Sequence, residues 1–208
     1  IEVPLPLSGE HLAAGLGALT PRDTMAAQLA LLLSAGAGRP VHVTNVAVVG
    51  SRSRDLARQV DALAAACRPD AVVMIVGAND LMHHCAGDEA IRRQVLAVHR
   101  LTVLGAPVVV GTCPDVSAVP VLADPLRHMA RHQARAYGHA QAVARRRTGA
   151  LPVDLFTLLG TRFREPGMFA ADGYHPSGAG YAAAAEVLLP AVCETLGIPI
   201  ATFLPLAA

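Results

Sequence analysis

The chain has 208 residues, 53% of them hydrophobic and 16% charged, with 17 basic side chains against 16 acidic ones and a net charge of +1. That length can bury a core without disulfide help, the composition excludes intrinsic disorder, and the charge balance implies no nucleic-acid partner. All the basic residues are arginine, which excludes a Walker P-loop, a pyridoxal-phosphate Schiff base and any lysine nucleophile.

In chain order, apolar runs alternate with helical patterns, the signature of βαβ units on a parallel sheet. Val3 to Leu7 is the first run, followed by a Gly-rich turn from Gly9 to Gly17. Thr20-Pro21-Arg22-Asp23 reads as an N-cap with proline at the first helical position, opening a helix to Ser34 that Gly36 and Gly38 stop. Val41 to Val49 is β-branched and apolar and predicts a strand; Ser53 then caps a helix through Leu56, Val60 and Leu63. Ala71 to Val76 is a run of the kind buried on both sheet faces. A helix is expected from Asp88 to Leu104, a strand from Pro107 to Val110, a long helix from Leu122 to Arg147, a strand from Leu151 to Val153, and a last helix from Ser177 to Leu196, kinked at Pro190. No low-complexity linker divides the chain, so residues 1–208 are expected to form a single α/β domain, a three-layer α/β/α sandwich on a five-stranded parallel sheet.

Ligands of such folds bind beyond the carboxyl ends of the strands, so the turns there are the places to look for chemistry. Asp172-Gly173-Tyr174-His175-Pro176 puts a carboxylate three residues before a histidine, within reach of imidazole Nδ1. That bond would fix the tautomer and leave Nε2 as a base. Gly77-Ala78-Asn79-Asp80 follows the buried strand; glycine lets backbone approach a ligand, and an asparagine amide can donate to a developing oxyanion. Gly50-Ser51 follows the second strand. Each motif alone is ordinary turn chemistry.

Together and in this order they resemble the SGNH/GDSL hydrolase superfamily, over nearly the whole chain. The resemblance implies a flavodoxin-like fold that hydrolyses or transfers acyl groups, with His175 as base, Asp172 as its orienter, and Gly50 and Asn79 as oxyanion donors. It implies no cofactor and no metal, and a small-molecule acyl ester or related metabolite as partner. Gly9-Glu10-His11-Leu12-Ala13-Ala14-Gly15 lies where the family carries its Gly–Asp–Ser–Leu block. Aligned without a gap, His11 occupies the nucleophile position and Glu10 replaces the aspartate before it. Ser8 would need a three-residue slip against the glycines.

Four explanations of that departure stand at this stage. The nucleophile is another residue near a strand end, Ser51, Ser53 or Cys113; or His11 itself acts, as an acyl carrier or as a base beside His175 and Glu10, which suits a lyase, cyclase or isomerase of a small metabolite. Otherwise the chain is a catalytically silent binding protein, or the exchange at position 11 was introduced to trap a ligand.

Several features predict no chemistry. The cysteines (Cys67, Cys85, Cys113, Cys193) form no CxxC pair, so neither a zinc knuckle nor a redox motif is encoded, and they are expected to pack as small buried hydrophobes. Arg127, Arg131 and Arg135 recur along one helix with His128 and His132 on the adjacent line, and a solvated basic face is expected there rather than a zinc site. His83 and His84 are expected in the loop over the pocket, whose shape the segments from Met82 to Gly87 and Cys113 to Ala123 would set. No stretch is expected to span a membrane, and the absence of a basic-then-apolar leader makes a cytoplasmic location the expectation.

Overall fold

β-Branched and apolar residues build the strands. The structure, a computed structural model, describes residues 3–4, 7–9, 11–66 and 68–199. β1 (Val3–Pro4) and β2 (Leu7–Gly9) are successive pieces of the first run; β3 (Val41–His42), β4 (Val72–Ile75), β5 (Val108–Gly111) and β6 (Leu151–Val153) follow. β2, β4, β5 and β6 form one parallel sheet in that order, and β1 pairs in parallel with β3. The described ladders are thus one of four strands and one of two, where five strands in a single sheet are expected from the sequence. Pro4 and Pro6 lack the N–H that a continuous ladder needs, and residues 5 and 6 lie outside the described residues.

The second expected strand is also cut short. Only Val41 and His42 are extended in the ladder, and Val43 to Val49 is irregular apart from an isolated bridge at Asn45. The reason is local: the Asn45 side chain donates to the Ala13 carbonyl (2.7 Å) and accepts from the Ala47 N–H (3.0 Å), giving the backbone an alternative to pairing.

Helices cover both faces of the sheet. Val73 and Ile75 point to one face and Val72, Met74 and Val76 to the other, the period-two alternation of a pleated strand. The first face packs α2 (Met25–Ala37), α7 (Leu155–Gly160) and α8 (Gly178–Leu196); the second packs α3 (Leu56–Ala66) and α5 (Asp88–Val103). α2 starts where Thr24 accepts from the Ala27 N–H (3.3 Å) and stops at Gly38 in the left-handed conformation (φ 61°). α6 (Leu126–Arg146) lies beside α5, while α1 (His11–Ala14) and α4 (Ala78–Met82) are short helices that begin just beyond β2 and β4.

Two further expectations are corrected. α8 is long and apolar enough to cross a membrane by length and composition, because it is a core helix: half of it is buried against α2 and the sheet. It continues through Pro190. Cys113 and Cys193 are buried as expected, but Cys85 is exposed in the turn after α4; Cys67 lies outside the described residues.

Leu29 on α2 is fully buried at the α2–α8 contact. Leu29→Ala should lower unfolding free energy by about 2–5 kcal/mol, the cost of lost burial plus the residual cavity, measured by urea denaturation.

Candidate active site

The segment before α8 folds back on itself and delivers His175 to the sheet edge. Phe169 and Pro176 form an antiparallel bridge, the Ala170 N–H donates to the His175 carbonyl (2.8 Å), and the Ser177 N–H donates to the Met168 carbonyl (3.0 Å). Gly173 makes the reversal at φ 63°. Ser177 then caps α8 by accepting from the Gly180 N–H (3.3 Å). The return is tight: a Cβ on Gly180 would lie 2.3 Å from the Met168 carbonyl oxygen, and one on Gly17 would lie 2.7 Å from the His175 Cβ. Both glycines let neighbouring backbone close against the histidine loop.

Asp172 uses both carboxylate oxygens inside this turn. Oδ1 accepts from the backbone N–H of Tyr174 (2.9 Å) and His175 (3.0 Å), and Oδ2 lies 2.6 Å from His175 Nδ1. A carboxylate at that distance takes the Nδ1 proton, which fixes the imidazole as the tautomer whose basic nitrogen is Nε2. The Tyr174 ring meets the imidazole edge to face, centroids 4.9 Å apart. These hydrogen bonds, led by the one with His175, hold the Asp172 pKa down at about 2.

Asn79 comes from the exit of β4. Gly77, at φ 142°, turns the chain out of β4 where a Cβ would press on Gln141, Cys113 and Tyr137 at 3.0 to 3.2 Å. Asn79 stands in the first turn of α4, is buried, and donates from Nδ2 to the Ser51 carbonyl (3.0 Å), tying the Gly50-Ser51 turn to the end of β4. Gly50 adopts φ 78° in that turn.

Beneath Asn79, a buried polar network fixes α4. Asp80, buried, accepts from the Ser53 N–H (3.0 Å), the Ser53 hydroxyl (2.5 Å) and the Tyr137 hydroxyl (3.1 Å). Gln94 donates to Ser53 Oγ (2.6 Å) and to the Tyr137 oxygen (2.9 Å), and its carbonyl accepts from Gln141 (3.1 Å) and from the buried Arg145 guanidinium. Gln141 also donates to the Val76 carbonyl (2.7 Å) and accepts from the Cys113 N–H (2.6 Å), clamping the ends of β4 and β5 together. Burial, with the Asp80 charge behind it, pushes the Tyr137 hydroxyl well above its ordinary pKa, and burial lowers Arg145 to about 10. Tyr137 therefore stays a neutral donor and Arg145 a cation across the working pH range. A buried carboxylate with this many donors is satisfied without solvent.

His175 and Asn79 line one cavity. Its walls are largely apolar: Leu12 from α1, Met82 after α4, Val116, Val119 and Leu122 from the loop after β5, and Phe163 and Phe169 before the histidine turn. The two segments expected to shape the pocket thus contribute to it. Asp115 is its buried polar wall, bonded to the Ser117 hydroxyl (2.5 Å) and paired with Arg131 and Arg164, each at 2.9 Å.

The expected site residues are distributed unevenly. Asp172, His175 and Asn79 are brought together, and Gly50 adjoins them through Ser51 without lining the cavity. His11 begins α1, one residue before the cavity-lining Leu12, and its backbone alone is described; Glu10 lies outside the described residues. Ser51, Ser53 and Cys113 do not line the cavity; Ser53 is locked on Asp80, and Ser51 Oγ accepts from Gln59 (3.0 Å). His83 and His84 are exposed beyond the cavity wall. The network residues Gln94, Tyr137, Gln141 and Arg145 were not foreseen; polar residues on amphipathic helices ordinarily read as the outer face.

The Asp172 carboxyl carbon should titrate near pH 2 by NMR, and in His175→Ala it should move up toward the ordinary carboxylate range. The sign follows from the lowered value: this carboxylate stabilises the fold fully above its unfolded pKa, and the contribution is lost as pH falls through about 2.

The profile of the GDSL-like lipase/acylhydrolase family matches residues 8–183. The GDSL-like esterase Rv1075c of Mycobacterium tuberculosis is 35% identical over 206 residues, covering 96% of this chain; the chain spans 66% of the length of that relative. Among solved structures, TesA superimposes with a TM-score of 0.76 at 24% identity, over 93% of this chain and 99% of its own. A lipase/acylhydrolase from Enterococcus faecalis gives 0.73 at 20% identity, over 95% and 98%. These likenesses show the same α/β fold. With the family profile spanning most of the chain, including the turns that carry Asn79 and His175, the chain belongs to the GDSL-like lipase/acylhydrolase family.

Proposed function

We propose that this chain hydrolyses small acyl esters, with His175 as general base, Asp172 as its orienter, and Asn79 with the Gly50 N–H as oxyanion donors. The observation that carries the reading is the single cavity shared by His175 and Asn79, with Asp172 holding the imidazole in one tautomer. The apolar walls accept the acyl chain, and the imidazole and amide meet the carbonyl.

The reaction needs a nucleophile other than the family serine, since position 11 is histidine. Ser51, Ser53 and Cys113 do not line the cavity, and we assign water as the nucleophile. Nε2 of His175 takes a proton from it, oxygen adds to the ester carbonyl, and the oxyanion is held by the Asn79 amide, with the Gly50 N–H as the second donor that the family resemblance implies. The tetrahedral species then collapses, the C–O bond to the alcohol breaks, and the proton on His175 passes to the leaving alkoxide. General acid–base catalysis supplies roughly 10²–10⁴-fold, so a slow esterase toward activated esters is expected. In the family resemblance, His11 takes the position of the serine that would form a covalent acyl intermediate.

p-Nitrophenyl acetate and butyrate test this directly. The parent should hydrolyse both slowly, and His175→Ala should lose about 10²-fold or more. His11→Ser should raise kcat by on the order of 10²-fold, because a hydroxyl beside the base completes the nucleophile–base pair, and intact mass after a fluorophosphonate should then show one adduct. Silence in both parent and His11→Ser would contradict the reading and favour a ligand-binding or non-hydrolytic role for the cavity.

A further inference from the structure

We propose that His128 and His132 form a chelating site for a divalent transition-metal ion on the outer face of α6, apart from the catalytic cavity. Both side chains are exposed, four residues apart on the same helix, and their Nε2 atoms lie 3.1 Å apart. For a metal about 2.05 Å from each nitrogen, the 3.1 Å separation corresponds to an N–metal–N angle of roughly 98°, between octahedral and tetrahedral values. The nitrogen spacing therefore suits a single shared ion.

The ring orientation agrees. The centroids are 4.6 Å apart with the planes at 70°, closer than a straight N–H···N bond would hold them, so the two Nε2 atoms meet at an angle rather than head-on. Without metal, one Nε2–H donates to the other nitrogen. On metal binding the donor ring's proton shifts from Nε2 to Nδ1 by exchange with water, so both rings bind through Nε2 as the Nδ1–H tautomer.

Two of the neighbouring arginines are drawn away from the pair. Arg131 reaches Asp115 (2.9 Å) and Arg127 donates to the Leu122 carbonyl (2.8 Å), both toward the body of the protein. Among the described residues no cluster of three or more His, Cys, Asp or Glu side chains surrounds a common point. The protein thus supplies two imidazoles, and water or a second ligand fills the other positions. A neutral nitrogen pair of this kind suits Cu²⁺, Ni²⁺ and Zn²⁺ rather than Mg²⁺ or Ca²⁺.

Nickel chloride, titrated against a chromophoric chelator in competition with the full chain, tests the site. The parent should bind Ni²⁺, His128→Ala and His132→Ala should each weaken binding at least tenfold, and His139→Ala, on the same exposed face, should leave it unchanged. Nickel should also raise the Tm of the parent and of His139→Ala but not of His132→Ala, because only ligand bound to the folded helix stabilises it. All three histidines are exposed, so the variants keep the fold. Equal nickel affinity in the parent and the His128→Ala/His132→Ala double variant would overturn the proposal.

Discussion

Parallel pairing of β2, β4, β5 and β6 is the constraint from which the site follows. Strands that run the same way end on the same edge, so the residues after Gly9, Ile75, Gly111 and Val153 leave the sheet side by side. Three of those exits build the cavity directly: α1 with Leu12, α4 with Asn79, and the loop from Pro114 to Leu122. The core makes the arrangement rigid. Each face of β4 and β5 is sealed by helices, and neither strand has a residue that water reaches.

The two functional turns are held by different physics. Asp172 and His175 sit three residues apart, and their geometry is set inside one reversal by backbone donors and one short charge-assisted bond. Asn79 is held from afar: Asp80 under it gathers Ser53, Tyr137 and Gln94, and through Gln94 and Gln141 reaches Arg145 and the exits of β4 and β5. The first arrangement tolerates exposure, since Asp172 is well solvated. The second depends on exclusion of water, because a buried carboxylate and a buried guanidinium each cost several kcal/mol unless their partners stay in place.

That difference also decides what could be read from the sequence. The Asp172–His175 pair is legible because its spacing alone puts the groups in contact, and Asn79 because a Gly–x–Asn–Asp turn follows an unbroken apolar strand. The helices α2, α5 and α8 are legible from periodicity and caps to within a few residues. The polar network was hidden: Gln94, Tyr137, Gln141 and Arg145 lie on amphipathic helices, where a glutamine or arginine ordinarily marks the wet face. Its partners meet only after the sheet has formed. The Val41–Val49 run misled because its composition favours a strand, while Asn45 spends its side chain on Ala13 and Ala47. The aromatic walls Phe163 and Phe169 carry no local signal at all, since only the histidine turn brings them to the cavity.

The central claim is that His175 and Asn79 act on the same carbonyl. A double-mutant cycle on kcat/KM for p-nitrophenyl butyrate, comparing the parent with Asn79→Ala, His175→Ala and the pair, measures that coupling. An oxyanion donor is worth about 10²–10³-fold, and what such donors supply persists in part when the base is removed. The account predicts that each single variant loses about 10²-fold or more in kcat/KM and that the double variant is slower than either. An Asn79→Ala variant as fast as the parent would contradict it.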